Sequence, residues 1–267
     1  MKRKHNIYIL LIAAIISSFT GCETKENSSE DSGKKDTSLL IAAASSMEAS
    51  LEKSIIPLFE ENYPNIKVQG TYDASGKLAL QIQEGIPGDI FLSAAASTME
   101  DLKNKELIYE DSIVDLLENK LVLIVPKASA DSYKSFEDIV NAKTIAVGDP
   151  ASVPAGQYAK EVLEAMDLWD EISERASLGT NVTEVLQWVA EGSAEAGLVY
   201  ATDAALEADK VEVVEEAQEE FLKSRIIYPA GIIKSTENKE AAEEFLDFLA
   251  SDEVKEIFKS YGFYPVE

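Results

Sequence analysis

The chain has 267 residues, with 24 lysines and arginines against 49 aspartates and glutamates, one histidine and one cysteine. This length suits two modest α/β domains or one large one. The formal net charge of −25 argues against binding to nucleic acid or to an anionic membrane surface through a general electrostatic field.

The start of the chain is typical of a bacterial export signal. Three basic residues at 2–4 precede an apolar core at 7–16, which is too short to span a membrane as a helix. Gly21-Cys22 resembles a lipobox, in which the cysteine receives lipid after cleavage. We therefore expect residues 1–21 to be a lipoprotein signal peptide and Cys22 to be lipidated. An uncleaved N-terminal anchor is the alternative, and it would leave the protein on the same face of the membrane.

The predicted mature chain carries few reactive side chains. Cleavage removes His5, the only histidine, and lipidation uses Cys22, the only cysteine. Serine–histidine hydrolysis, cysteine–histidine chemistry, zinc sites built from these residues and disulfides are therefore excluded. We expect the protein to be neither an enzyme nor the carrier of a resident metal cofactor.

A polar stretch precedes the folded body. Residues 22–37 contain no large apolar side chain and are predicted to form a disordered tether. From Ser38 onward, strand-like and helix-like patterns alternate, which predicts an α/β fold with a mostly parallel, helix-flanked sheet in each of two lobes. Strands are predicted at 38–43, 66–72, 88–93, 121–126, 143–148, 196–200 and 226–233, the last of them being the final strand.

Helical patterns follow most of these strands. Pro57 lies inside the first helical pattern and is expected to kink or shorten that helix. The run 121–126 is the predicted crossing into the second lobe, so lobe 1 comprises 38–120 with 226–267 and lobe 2 comprises 121–225. Helices are predicted to begin near Ser45, Ser75, Ala94, Pro154, Asn181, Ala201, Lys239 and Asp252.

Four of the predicted helix starts indicate an anion site. Ser45 and Asn181 each have a glutamate three residues later, which is the spacing of a capping box. Ser75 lies at a second strand-to-helix junction, and Pro154 is placed as the first residue of a helix. Helix N-termini attract anions, and the strand-to-helix ends of open α/β sheets face a ligand cleft. A plain helix cap is the alternative reading of Ser45.

Five groups of motifs resemble a known family in their order and spacing. Together they make the chain, from about Ser38 to its C-terminus, similar to the molybdate-binding proteins of bacterial ABC importers. The motifs are Ala42–Ser45, Tyr72–Ser75 with Gly88–Ala94, Val147–Pro150 with Val153–Gly156, Gly197–Tyr200, and Ile257–Phe263.

The resemblance implies a two-lobed periplasmic-binding-protein fold, similar to type II, with molybdate or tungstate held in the cleft between the lobes. It also implies a monomer on the extracytoplasmic face of the cell membrane that delivers its ligand to a permease and an ATPase. Ser46 stands where the family usually has an apolar residue, which adds a hydroxyl near the site. Carried over by motif, the ligand groups are the hydroxyls of Ser45, Ser75 and Tyr200 and the backbone of Ala155 and Val182.

A site with only hydrogen-bond donors would favour a fully deprotonated dianion over hydrogen phosphate, which needs an acceptor for its proton. Another oxyanion such as sulfate, or ferric iron held by tyrosines and carboxylates, remains an alternative ligand. A surface-anchored hydrolase using serine with lysine, or a carboxylate pair, is a further alternative. Lys77 is a candidate anion partner, Asp149 a candidate cation ligand or turn residue, and Asp203 a candidate for supporting a hinge or Tyr200.

Overall fold

The computed structural model describes residues 36–266, which belong to one compact unit. The predicted signal peptide, Cys22 and nearly all of the predicted tether lie outside the described residues. The first strand begins at Thr37, one residue before the sequence predicts it. No helix between residues 36 and 266 is long and apolar enough to cross a membrane.

Strands are built by apolar and β-branched runs, and those described are β1 (Thr37–Ala44), β2 (Ile66–Asp73), β3 (Ile90–Leu92), β4 (Val114–Asn119), β5 (Leu121–Pro126), β6 (Ile145–Gly148), β7 (Ala176–Gly179), β8 (Ala196–Tyr200), β9 (Val211–Glu216), β10 (Ile226–Ile232) and β11 (Tyr264–Pro265). The α-helices described are α1 (Glu48–Ser50), α2 (Ile56–Asn62), α3 (Ser75–Gln83), α4 (Ala96–Asn104), α5 (Pro154–Ala165), α6 (Trp169–Ser173), α7 (Val182–Ala190), α8 (Ala201–Leu206), α9 (Lys239–Leu249) and α10 (Asp252–Ser260).

The strands form two sheets, with the orders β11-β4-β10-β3-β1-β2 and β7-β6-β8-β5-β9. In the first sheet β1 is parallel to β2 and β3, while β10 is antiparallel to β3 and β4. In the second sheet β6 is parallel to β7 and β8, while β5 is antiparallel to β8 and β9. The predicted α/β class is confirmed, but both sheets are mixed, so the expectation of mostly parallel sheets is wrong.

The mixed pairing follows from how the chain passes between the sheets. Parallel neighbours need a long crossover, which helices supply after β1, β2, β6 and β7. Only Lys120 separates β4 from β5, and the return from β9 to β10 contains no more than a short 3₁₀ turn at Glu219–Phe221. The four strands joined by these two connections, β4, β5, β9 and β10, pair antiparallel with their neighbours.

Four strands were not predicted, and each lacks a strong apolar run. Strands β4 and β9 carry several acidic residues, β7 is a short strand with Leu178 exposed, and β11 has only two residues. Strand β11 follows β10 in the chain and pairs with β4. The prediction that 226–233 is the final strand is therefore wrong.

The segment after β1 departs from regular α-helix. It begins as a 3₁₀ turn at Ser45–Met47, continues through α1, and passes through a π-helical turn at Leu51–Ile55 before α2. Pro57 has no N–H group that could donate to the carbonyl oxygen four residues earlier. The wider π-helical turn lies directly before it. The structure shows a local change of helix type before Pro57, and the segment stays helical from Ser45 to Asn62 rather than ending there.

Close backbone packing positions the start of α5 against the end of β6. A Cβ atom built on Gly156 would lie 1.9 Å from the carbonyl oxygen of Gly148, so only glycine fits at position 156. No side-chain rotation relieves a clash with backbone. The first turn of α5 is held in place by this contact.

We expect Gly156→Ala to lower the free energy of unfolding by about 3 kcal/mol or more, at the upper end of the cost of overpacking. Thermal denaturation of the purified domain measures the effect. Gly192→Ala is the matched control, because Gly192 has a φ of +74° but no atom within 4 Å of the added Cβ. Its cost is conformational and about 1 kcal/mol. Equal losses in the two variants would contradict the steric account of Gly156.

Candidate functional site

A small cavity lies between the N-terminal ends of helices that follow strands of the two sheets. Its volume is about 10 Å³, close to the space of one water molecule. The wall includes strand ends from β1 and β2 and the first turns of α3, α5 and α7. The five residues carried over as ligand groups, Ser45, Ser75, Ala155, Val182 and Tyr200, all line it.

Ser45 is the first residue of the 3₁₀ turn, and the N-cap position is taken by Ala44, with φ −54° and ψ 138°. The start carries no side-chain cap hydrogen bond, so the predicted capping box of Ser45 and Glu48 is wrong. The reason is that β1 runs one residue further than predicted, to Ala44, which moves Ser45 from the cap into the first turn. Its side chain lines the cavity instead.

Ser75 has the same relation to α3, because Ala74 is the N-cap and Ser75 is the first helical residue. The fully buried Oγ of Ser75 accepts a hydrogen bond of 2.9 Å from the backbone N–H of Ala94. A hydroxyl that accepts in this way keeps its own proton for donation. Ser75 can therefore donate into the cavity while it remains fixed by Ala94.

The second sheet contributes two further helix starts. Pro154 is the first residue of α5, as predicted, and Ala155 follows it in the first turn, where N–H groups have no partner within the helix. Val182 is the first residue of α7, with Asn181 as its N-cap. The side-chain oxygen of Asn181 accepts from the N–H of Glu184 at 2.9 Å, which confirms half of the predicted capping box. The other half is shifted by one residue.

The carboxylate of Glu184 accepts from the N–H of Thr180 at 2.6 Å, rather than from Asn181. The side chains of Asn181 and Glu184 are therefore both hydrogen-bonded. The N-terminal end of α7, where the first N–H groups lie, faces the cavity through Val182.

Tyr200 ends β8 and is buried, with its ring edge-on to that of Tyr228 at 5.6 Å between centroids. Its hydroxyl donates a long hydrogen bond of 3.4 Å to the carbonyl oxygen of Ala94. Burial, above all, raises the pKa of Tyr200 well above its ordinary value, so the hydroxyl stays neutral and able to donate. Tyr200 is both a packed aromatic residue and a member of the cavity wall.

One carboxylate on the cavity wall was not anticipated. Asp73, the last residue of β2, lines the cavity, so its wall does not consist of donors alone. The Oδ1 atom accepts from the N–H of Ala74 at 2.8 Å, from Lys77 at 3.3 Å and from the side chain of Asn181 at 3.5 Å. Three donors thus surround that oxygen. Lys77 is paired with Asp73.

Asp149 forms a turn. Its backbone carbonyl accepts from the N–H groups of Ser152 and Val153, and its side chain accepts from the N–H of Ala151 at 2.9 Å. Within residues 36–266, no cluster of three or more histidine, cysteine, aspartate or glutamate side chains could hold a metal ion.

Asp203 is a buried acid beside the site, with 1% of its surface exposed. Its carboxyl group accepts from the backbone N–H groups of Tyr200 and of Asp203 itself, but Oδ2 has no hydrogen-bond partner among the described residues. Burial raises the pKa of Asp203 to about 7, and the two backbone hydrogen bonds oppose that rise. The hydroxyls of Tyr200 and Tyr228 are the titratable groups that face it.

Comparison with known proteins decides the family. The model of the family described as bacterial extracellular solute-binding protein matches residues 39–264. The chain belongs to this family. Like its relatives, it is a solute-binding protein and not an enzyme. The predicted family resemblance is confirmed.

Several relatives of this solute-binding protein have assigned roles. It is 39% identical to the putative ABC transporter substrate-binding lipoprotein YvgL of Bacillus subtilis over 98% of this chain and 99% of that one. It is 36% identical to the molybdate-binding protein ModA of Haemophilus influenzae over 84% of this chain and 88% of that one. The solved substrate-binding domain of a putative molybdenum ABC transporter from Clostridium difficile is 38% identical, with a TM-score of 0.66 over 86% of this chain and 100% of that domain.

We predict that Asp203→Asn changes how stability depends on pH. The folded protein holds this proton up to about pH 7, while an unfolded aspartate loses it near its ordinary value of 3.8. The folded state therefore binds more protons between these values, and the free energy of unfolding falls as pH rises, by about 4 kcal/mol in total. Below the lower value and above the upper one, Asp203 contributes no slope.

Urea unfolding of wild type and Asp203→Asn at pH 5 and pH 8 measures this contribution. The variant is expected to lose less stability than wild type between the two pH values. Asp209→Asn, which changes an exposed carboxyl group close by in sequence, is the control and should behave as wild type does. An Asp203→Asn variant with the same pH dependence as wild type would show that Asp203 is ionised throughout this range.

Proposed function

We propose that the protein captures molybdate, and also tungstate, in the cavity and delivers it to an ABC importer. The observation that carries this proposal is the convergence on one cavity of three hydroxyls and two helix-start backbones from both sheets. A relative that shares 36% of its residues is a molybdate-binding protein, which supports the choice of ligand.

The electrostatics of the cavity suit a dianion. Each helix start behaves like roughly half a positive charge, so four starts offer about two. No lysine or arginine lines the cavity among the described residues. Hydrogen bonds to a charged partner contribute about 1.5–3 kcal/mol each, so hydroxyls and fixed amides can together replace the hydration of the anion. The charge of Asp73 is offset by Lys77 and by two further donors.

Selectivity follows from where the protons lie. Molybdate, tungstate and sulfate carry no proton at neutral pH, whereas hydrogen phosphate needs an acceptor for the proton that it keeps. Asp73 is the carboxylate on the wall, and donors already surround its Oδ1. Oδ2 is the carboxylate oxygen left to accept the proton of hydrogen phosphate, and we propose that one such acceptor leaves phosphate the weaker ligand. The preference for molybdate over the smaller sulfate depends on cavity size in the bound state, and here the similarity to molybdate-binding relatives supports molybdate.

We propose that the two sheets with their helices form two lobes that close on the ligand. Lobe 1 comprises 38–120 with 226–267, and lobe 2 comprises 121–225. The N–H of Gly76 donates to the carbonyl oxygen of Ser152 at 3.1 Å, which is a contact between these lobes near the cavity. Only the closed arrangement brings both sets of ligand groups to one ion, so the anion stabilises it.

The proposed location is the extracytoplasmic face of the cell membrane, with lipid on Cys22 as the anchor. The protein acts there as a monomer whose partners are a permease and an ATPase. Kinship with an ABC transporter substrate-binding lipoprotein along 98% of this chain supports this assignment.

Ser45→Ala and Ser75→Ala are each expected to weaken molybdate binding by more than about tenfold, because each removes a hydrogen bond to a charged ligand. Titration calorimetry of the domain from residue 36 onward measures the affinity. Ser50→Ala is the matched control, since the hydroxyl of Ser50 is buried in the same segment as Ser45 but donates to the carbonyl of Met47. Wild-type affinity in both cavity variants would refute the assignment of the site.

The same calorimetry distinguishes the candidate ligands. Tight binding of molybdate and tungstate, with weak binding of sulfate and phosphate, supports the proposed function. Preferential binding of sulfate would make the protein a carrier of a different oxyanion. Binding of none of the four would reject an oxyanion ligand.

Gly76→Ala tests closure without removing any ligand group. A Cβ atom on Gly76 would lie 2.5 Å from the carbonyl oxygen of Ser152, so the lobes could not reach the closed contact. We expect molybdate affinity to fall by about tenfold, which corresponds to the lower range of overpacking costs. The melting temperature without ligand should not fall, because alanine favours the helix more than glycine does. A loss of stability with unchanged affinity would argue against closure at this contact.

A further inference from the structure

Ser46 lines the cavity but is not among the residues carried over as ligand groups. It is buried, with 4% of its surface exposed, and it follows Ser45 in the 3₁₀ turn. Its Oγ lies 3.0 Å from the hydroxyl of Tyr228, a residue 182 positions later in the chain. Two hydroxyls share this one hydrogen bond. The function of Ser46 depends on which of them donates.

The side chain of Asn119 bears on the direction of the bond. Its Oδ1 atom accepts from the backbone N–H of Lys120 at 2.8 Å, and a backbone N–H can only donate. The amide orientation is therefore fixed, with its NH₂ group on the other side. That NH₂ group donates to the hydroxyl of Tyr228 at 3.2 Å and to the hydroxyl of Thr202 at 2.9 Å.

This orientation allows a one-way chain of hydrogen bonds. The Tyr228 oxygen accepts from Asn119 and keeps its own proton, and the neighbouring oxygens that can accept this proton are Ser46 Oγ, at 3.0 Å, and the hydroxyl of Tyr200. When Ser46 accepts it, Ser46 keeps its own proton for donation. On the cavity wall, that proton can be directed to whatever the cavity holds.

We propose that Ser46 is a further anion-binding residue, and that Tyr228 and Asn119 are positioning residues that direct the Ser46 proton into the cavity. This inference rests on the proposed oxyanion-binding function and adds a hydroxyl to its donor set. Ser46 contacts the ligand directly, while Tyr228 and Asn119 act through it.

The position of Tyr228 is suited to this role. It is 1% exposed and lies at an irregularity in the pairing of β10 with β4, between Tyr228 and Pro229. Such bulges redirect a side chain relative to the sheet. Asn119 is the last residue of β4, directly before the crossing to the second sheet, and Thr202 follows two residues after Tyr200. The chain of bonds therefore joins both sheets behind the cavity.

A purely structural role predicts different behaviour. In that case the bonds only satisfy buried polar groups, so their loss would lower stability and leave affinity unchanged. The two readings are separated by measuring the affinity for molybdate and the melting temperature of the same variants. Ser46→Ala removes the donor, and Tyr228→Phe removes the directing hydroxyl while it keeps the ring.

We expect Ser46→Ala to weaken molybdate binding by about tenfold and Tyr228→Phe by about threefold to tenfold, since hydrogen bonds to charged partners are strong. The double variant should bind as Ser46→Ala does, because Tyr228 acts through Ser46. If Tyr228→Phe acted through its neighbour Tyr200 instead, it would weaken binding further in the Ser46→Ala background. That additive result would overturn the positioning role.

Two controls complete the test. Ser50→Ala removes a buried hydroxyl from the same segment and should leave affinity unchanged. Wild-type molybdate affinity in Ser46→Ala, with Ser45→Ala weakened, would reject the role of Ser46 and leave the proposed function intact. A wild-type protein that binds neither molybdate nor tungstate would instead reject the proposed function itself, and the inference about Ser46 with it.

Discussion

The cavity depends on backbone N–H groups at the starts of helices, which have no partner within their own helix. The site has no lysine or arginine on its wall among the described residues, so its positive potential comes from how chain segments are oriented. This makes backbone position decisive. The contact between Gly148 and Gly156 fixes the start of α5, and the turn at Asp149 leads the chain into it. A small change in either would move donors that no side-chain rotation could restore.

The sequence predicts the helix starts well and the hydrogen bonds at them poorly. Pro154 and Asn181 are residue types typical of helix starts, and such local patterns suffice to find these starts. A serine caps a helix or begins it depending on whether the preceding strand ends one residue earlier or later. The sequence pattern around Ser45 does not define the strand end to that precision. The bond between Ser46 and Tyr228 spans 182 positions, so no periodicity could reveal it. Asp73 was missed for a different reason: the strand predicted to end at position 72 continues to Asp73, whose side chain lines the cavity.

The buried polar groups behind the cavity lie where the chain crosses between the sheets. Asn119 and Thr202 are hydrogen-bonded there, whereas Asp203 keeps one oxygen without a partner among the described residues. A polar interior at a crossing costs stability compared with an apolar one, because each unpaired group has lost its water. It also fixes directions that apolar contacts would leave free. The orientation of the Asn119 amide, set by one backbone N–H, gives the hydroxyls of Tyr228 and Thr202 a fixed donor.

Neutral donors shared between two sheets also connect affinity with conformation. A lysine in the cleft would attract an anion in any arrangement of the lobes, because a charge acts over several ångströms. Hydroxyls and helix-start amides act at hydrogen-bond distance, so half of the proposed donor set is lost when the lobes separate. The proposed donors of lobe 1 are Ser45, Ser46 and Ser75, and those of lobe 2 are Ala155, Val182 and Tyr200. A transporter that opens the lobes would therefore release the ion without having to neutralise any fixed positive side chain.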